Sequence, residues 1–271
     1  MARAGRTSQT LIDHIATAGF PYPGDMVHVF VGGSELHGAK VRGTDDLDIY
    51  GVFIEPPHIA LGLNTLQHFV WSTAGNDVRN GPDDVDVTLY SLQRWAELAV
   101  KGNPTALHFL FSGVSVPGVW GEIVARRDVF LARSAAAQFV GFADSQLKRM
   151  TGQLGHGKKG QRPELEERFG YDVKAAMHTL RLLYECLELL RERKITLPRP
   201  EKDLLIRVRT GEFSMDKVLA MAQQLFQACK AAEQESSLPV SIDRASVSKL
   251  VARTYLEHWR ALGQGSLLIS S

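Results

Sequence analysis

Asp46 and Asp48, separated by one residue, are the pair whose type and spacing point most directly to chemistry. They open an apolar run, Leu47 to Ile54, that reads as a strand. Side chains at i and i+2 share a strand face, so both carboxylates point one way while Leu47 and Ile49 face a core. Two such carboxylates side by side on a buried sheet repel each other, and a divalent cation is what usually makes the pair tolerable. Twelve residues before Asp46, the turn Gly32-Gly33-Ser34 follows the apolar run Met26 to Val31. Glycine allows close backbone approach and helix N-terminal amides point at an anion, so Gly33 and Ser34 are candidates for holding phosphate. A third acid comes from DDVDVTLY, where strict alternation puts Asp84, Asp86, Thr88 and Tyr90 on one face and Val85, Val87 and Leu89 on the other. Asp86 is the best third ligand, Asp84 the reserve nearer the loop, and Asp45 is expected to point away into solvent. Two metal ions held by such a set can clamp the α-phosphate of a nucleoside triphosphate and an attacking hydroxyl.

The elements that must position these groups follow from the hydrophobic pattern. Residues 8–18 form an amphipathic helix with Ser8 as its cap, ended by Gly19. Strands follow at Met26–Val31, Asp46–Ile54, Leu66–Ser72 and Val85–Leu89. From Ser91 onward the period is helical, with Leu92, Trp95, Leu98 and Ala99 on one inner face. Helices are expected from Asn103-Pro104 to Phe111, at 119–131, 134–151 and 171–193 (the longest), then 201–209, 214–235 and 242–262. This is an α+β chain with a mixed sheet first and a helical remainder, divided into residues 1–115 and 116–271.

Composition is ordinary for a globular protein, with 44% hydrophobic and 23% charged residues and a net charge of +1. Charge distribution says more: residues 43–90 carry eight acids against Arg79 alone, while residues 148–181 carry eight Lys or Arg against four acids. An acidic wall and a basic one suit a site that holds cations and phosphates. Cys186 and Cys229 lie in helical patterns without metal-ligand spacing and read as free core thiols, which fits a reducing cytoplasm. No run has the length of a signal peptide core or a membrane span.

The combined GGS–x11–DLD motif with a later strand aspartate resembles the DNA-polymerase-β-type nucleotidyltransferase superfamily. GNPTALHFLFS (102–112), QLKRMTG, YDVKAAMHTLRLLYECLELL (171–190) and ITLP further resemble a bacterial and phage family of nucleotidyltransferases, some linked to RNA repair. The resemblance covers residues 27–220 and implies transfer of a nucleotidyl group from an NTP with release of pyrophosphate. It places Gly33 and Ser34 in the phosphate-binding turn, Asp46 and Asp48 as the metal pair and Asp86 as the third ligand, for two Mg²⁺ or Mn²⁺ ions. Asp45 departs from it by standing where serine is common, without abolishing metal binding.

On the helix beginning at Tyr171, Lys174, His178 and Arg181 share a face, continued by Glu185 and Glu188. That stripe is a candidate for the β,γ-phosphates or the acceptor, with an ordinary solvated face as the alternative. The glycine-rich loop 155–162, with Lys158, Lys159 and Arg162, is a second candidate phosphate or nucleic-acid contact. Trp71, Trp95 and Trp120 read as core. The acceptor stays open among an RNA 3′ end such as that of tRNA, which the basic middle favours, a protein side chain and a small molecule. A rival of another class is a non-catalytic nucleic-acid- or partner-binding protein on the same scaffold, although three candidate acidic ligands are present.

Overall fold

The computed structural model describes residues 7–41, 46–75, 81, 84–113, 118–153 and 162–264. Helix α1 (Ser8–Thr17) is capped by Thr7 rather than Ser8: Thr7 has the extended backbone a cap requires, and its hydroxyl accepts from the Thr10 amide. After it come β1 (Met26–Val31), the one-turn α2 (Gly33–Leu36), β2 (Leu47–Phe53), α3 (Pro57–Ala60), β3 (His68–Ser72) and β4 (Val85–Ser91). The chain continues through α4 (Leu92–Val100), α5 (Pro104–His108), α6 (Trp120–Ala125), α7 (Ala135–Met150) and α8 (Pro163–Phe169). It closes with α9 (Val173–Glu192), α10 (Lys202–Arg209), α11 (Met215–Glu235) and α12 (Arg244–Ala261). Asp172 caps α9 and Arg193, at a left-handed φ of 57°, stops it, so at 20 residues it is shorter than α11 with 21. No helix among the described residues is long and apolar enough to cross a membrane.

The sheet has four strands in the order β1-β2-β4-β3. β1 runs antiparallel to β2, β2 parallel to β4, and β3 antiparallel to β4. Its alternation is the one legible in the sequence. Leu47, Ile49, Val87 and Leu89 are buried on one face against Leu11 and Ile15 of α1, each contributing about 1.5–3 kcal/mol by leaving water. Asp48, Tyr50, Asp86, Thr88 and Tyr90 occupy the other face by the same period. The fold is therefore α+β.

The chain forms two compact units that do not follow one another in sequence. One comprises Met1–Val100, Ser112–Val129 and Asp243–Ser271; the other comprises Lys101–Phe111 and Phe130–Ile242. These units interleave along the chain, with Arg244–Ala261 in the sheet-bearing unit. There α12 is fastened by two buried bonds: the Tyr255 hydroxyl donates to Glu55 Oε2 at 2.6 Å and Trp259 Nε1 donates to the Glu55 carbonyl at 2.9 Å. In the second unit α9 is central, packed by α7, α8, α10 and α11. Encirclement explains why α9 buries Ala175, Leu182 and Glu185 as well as Val173, Ala176, Met177, Leu180, Leu183 and Leu190. Both cysteines are free thiols and buried; the side chains of Trp95 and Trp120 are buried too.

Candidate active site

Strand pairing builds the site. Register aligns Val31 with Ile49, and the Gly32 amide donates to the Asp48 carbonyl at 2.8 Å, so the turn after β1 begins beside Asp48. Both glycines are demanded by close approach. A Cβ on Gly32 would stand 2.2 Å from the Tyr50 ring, and one on Gly33 would stand 1.8 Å from Asp48 Oδ2, at a left-handed φ of +56°. Ser34 follows, half-buried, in the first turn of α2. The GGS turn is thereby pressed onto the carboxylate that the sequence placed twelve residues and more downstream.

Parallel, in-register pairing sets Asp48 directly across from Asp86, at the spacing of neighbouring strands, about 4.8 Å. Asp46 immediately precedes β2, and one carboxylate oxygen from each of Asp46, Asp48 and Asp86 lies within 4.8 Å of the others. All three residues are half-buried. Asp84, the reserve ligand, is occupied elsewhere. Its Oδ1 accepts from Thr73 Oγ1 at 2.5 Å and its Oδ2 from the Gly81 amide at 2.6 Å, closing the β3–β4 connection. Those bonds hold the Asp84 carboxyl below its ordinary value. Asp45 lies outside the described residues. Clustered, half-exposed carboxylate oxygens are a hard donor set that suits Mg²⁺ or Mn²⁺.

The α9 trio belongs to the second unit. His178 and Arg181 line a cavity of about 220 Å³ with Asn103, Thr105, Phe142 and Gln146; Lys174 is not part of that lining. Arg181 is tied by its guanidinium to Glu185, at 2.9 and 3.2 Å, and Glu185 also meets His108 Nε2 at 3.1 Å. Because Glu185 is fully buried, the pair is structural as well as polar. Arg162, expected in a phosphate-contacting loop, pairs at 3.2 Å with the buried cap Asp172; the rest of that loop, Lys158 and Lys159 included, lies outside the described residues. Glu188 accepts from Arg199 and Thr196. Sequence reasoning missed the Glu55–Tyr255 bond and the pairing of His68 with Tyr90. The first joins residues 200 positions apart; the second was legible only as alternation.

The chain belongs to the RNA repair pathway DNA polymerase beta family, whose model matches residues 7–259. By class it is therefore a member of the DNA-polymerase-β-type nucleotidyltransferase superfamily. It is 28% identical over 136 residues to an uncharacterized 38.9 kDa protein from the nrdC-mobD intergenic region of Enterobacteria phage T4; the match covers 48% of this chain and 38% of that protein. A crystal structure of a nucleotidyltransferase-like protein from Exiguobacterium sibiricum 255-15 aligns at 13% identity and a TM-score of 0.28, over 92% of this chain and 75% of that one.

Proposed function

We propose that the protein transfers a nucleoside monophosphate from an NTP to an acceptor hydroxyl, an RNA 3′ end being the favoured acceptor, with release of pyrophosphate. The observation that carries this reading is the convergence of Asp46, Asp48 and Asp86 beside the Gly32-Gly33-Ser34 turn. The three aspartates would hold two divalent cations, Mg²⁺ or Mn²⁺, which when bound supply charge neutralisation of the triphosphate and acidify the acceptor hydroxyl. Gly33 and Ser34 position the triphosphate, the glycine backbone leaving room where any side chain would strike Asp48. The acceptor oxygen forms a bond to the α-phosphorus, the bond from that phosphorus to the bridging oxygen of the β-phosphate breaks, and pyrophosphate departs with the electron pair. Asp86 takes up the hydroxyl proton. His178 and Arg181 are assigned to nucleotide or acceptor binding through the cavity they line, and Lys174 through its place on the same helix. The family's name, with its RNA repair pathway, supports RNA over a protein side chain or a small molecule as acceptor.

The test is binding of each NTP with Mn²⁺ or Mg²⁺ by the protein and by its Asp46→Asn and Asp48→Asn variants. Cation-dependent NTP binding lost in both variants is expected. Binding without any cation dependence would mark a non-catalytic scaffold and overturn the reading.

A further inference from the structure

The triad's face of the sheet has two unlike halves. Over β1 and β2 it is covered. His28 stacks on Trp120 with centroids 4.7 Å apart and Nε2 lies 2.8 Å from Ser112 Oγ. Phe30 stacks on Tyr50, and Val52 is fully buried. Over the edge strand β3 the same face is open, with Val70 59% exposed and His68 exposed, and beside it Asp86, Thr88 and Tyr90 of β4 are half-buried. Register sets Ser72 beside Asp86, Val70 beside Thr88 and His68 beside Tyr90, and directly paired residues point to the same side of a sheet. His68 and Tyr90 lie flat on one another, centroids 4.9 Å apart and planes within 6°. Arg94, in the first turn of α4, acts electrostatically on both rings. Its side chain is 36% exposed and meets Glu97 at 3.0 Å. Desolvation first, then Arg94, lowers the His68 pKa, so the ring is neutral at neutral pH.

Direction follows from this asymmetry. The phosphate turn leaves the sheet on the β1 side of Asp48, so the acceptor reaches Asp86 from the β4–β3 side. The four residue steps from Asp86 to Tyr90 span about 13 Å, the reach of two or three nucleotides of an extended strand. We propose that Ser72, Val70, His68, Tyr90 and Arg94 form the seat of a single-stranded RNA 3′ end. The terminal hydroxyl lies at Asp86, an upstream base stacks on the His68–Tyr90 pair, and its phosphate lies near Arg94. A flat aromatic pair whose His68 ring is exposed, beside a cation, matches bases, which all present a π-face, and a phosphodiester backbone. This rests on the nucleotidyl-transfer reading and adds to it the residues and path that seat the acceptor strand.

The experiment is a titration of a short 5′-labelled oligoribonucleotide with a free 3′ hydroxyl, followed by fluorescence anisotropy with Mg²⁺ and varied salt. His68 is exposed, so His68→Ala should fold normally. We expect it to weaken RNA binding about fivefold or more, with His68→Phe restoring affinity. Arg94→Ala should flatten the log–log salt dependence by about 0.7. NTP affinity should stay unchanged in all three variants. Unaltered RNA affinity in His68→Ala overturns the seat, as does a wild-type protein that binds NTP but no RNA. So does transfer of label to a protein or small molecule at a rate indifferent to His68. A protein that binds no NTP refutes the transfer reading itself, and the seat with it.

Discussion

Asp46, Asp48 and Asp86 bring like charges within 4.8 Å of one another, an arrangement that opposes folding until a cation neutralises it. Replacing one of them should therefore cost activity and not stability. We expect Asp46→Ala and Asp48→Ala to lower transfer about a thousandfold or more, since several kcal/mol of transition-state charge stabilisation are removed. In chelator the Asp48→Asn protein should melt no lower than the wild type, and Mn²⁺ should raise the melting midpoint of the wild type alone. Equal Mn²⁺ shifts in both would place the cation elsewhere. At Gly33 the expected outcome is the reverse combination. An added Cβ must displace the Asp48 carboxylate at a left-handed φ, so Gly33→Ala should lose about 1 kcal/mol or more of stability. Displacement of a reacting group by about 1 Å also costs about 100-fold in rate, measurable as kcat alongside the urea midpoint. The carboxylate pair was legible because strand alternation is strict. The tightness at Gly33 was not, because it arises from the pairing of β1 with β2.

Among the elements, α9 and α12 show what periodicity reveals and hides. Spacing put Lys174, His178 and Arg181 along one face of a helix, but it could not show that four elements of the second unit pack around that helix. Glu185, read as a continuation of the candidate binding stripe, is fully buried and holds both Arg181 and His108. Removing it strands a guanidinium beside a buried imidazole. We expect Glu185→Ala to cost about 3–5 kcal/mol in urea denaturation; a loss under 1 kcal/mol would mean the cluster is solvated. At α12, burial raises the Glu55 carboxyl above its ordinary 4.5 despite the bond from Tyr255. The unfolded carboxyl ionises at lower pH than the folded one. The associated stability is thus fully present below about pH 4.5 and is lost as pH rises through the folded value. Gln keeps an acceptor for the Tyr255 hydroxyl, so the stability of Glu55→Gln should fall less than that of the wild type between pH 4.5 and 8. Parallel profiles would contradict this.

At the scale of the whole molecule, the order of elements along the chain was legible and their grouping was not. Each helix and strand announces itself through local apolar period, caps and glycine stops. The return of residues 243–271 to the sheet-bearing unit depends on Tyr255 and Trp259 finding Glu55, and no local pattern encodes that. Deleting residues 243–271 should therefore lower the melting point of the sheet unit by several degrees, seen as lost amide protection in β2 and β4; full protection would restore a simple two-part chain. The central claim, that the aspartate triad transfers a nucleotide, is tested most directly by label transfer. The protein is incubated with each of four α-labelled NTPs, Mg²⁺ or Mn²⁺, and a mixture of tRNA, other RNA and protein. Cation-dependent label on an RNA 3′ end, absent with Asp46→Ala and with Asp48→Ala, is the predicted result. Full transfer by both variants would contradict it.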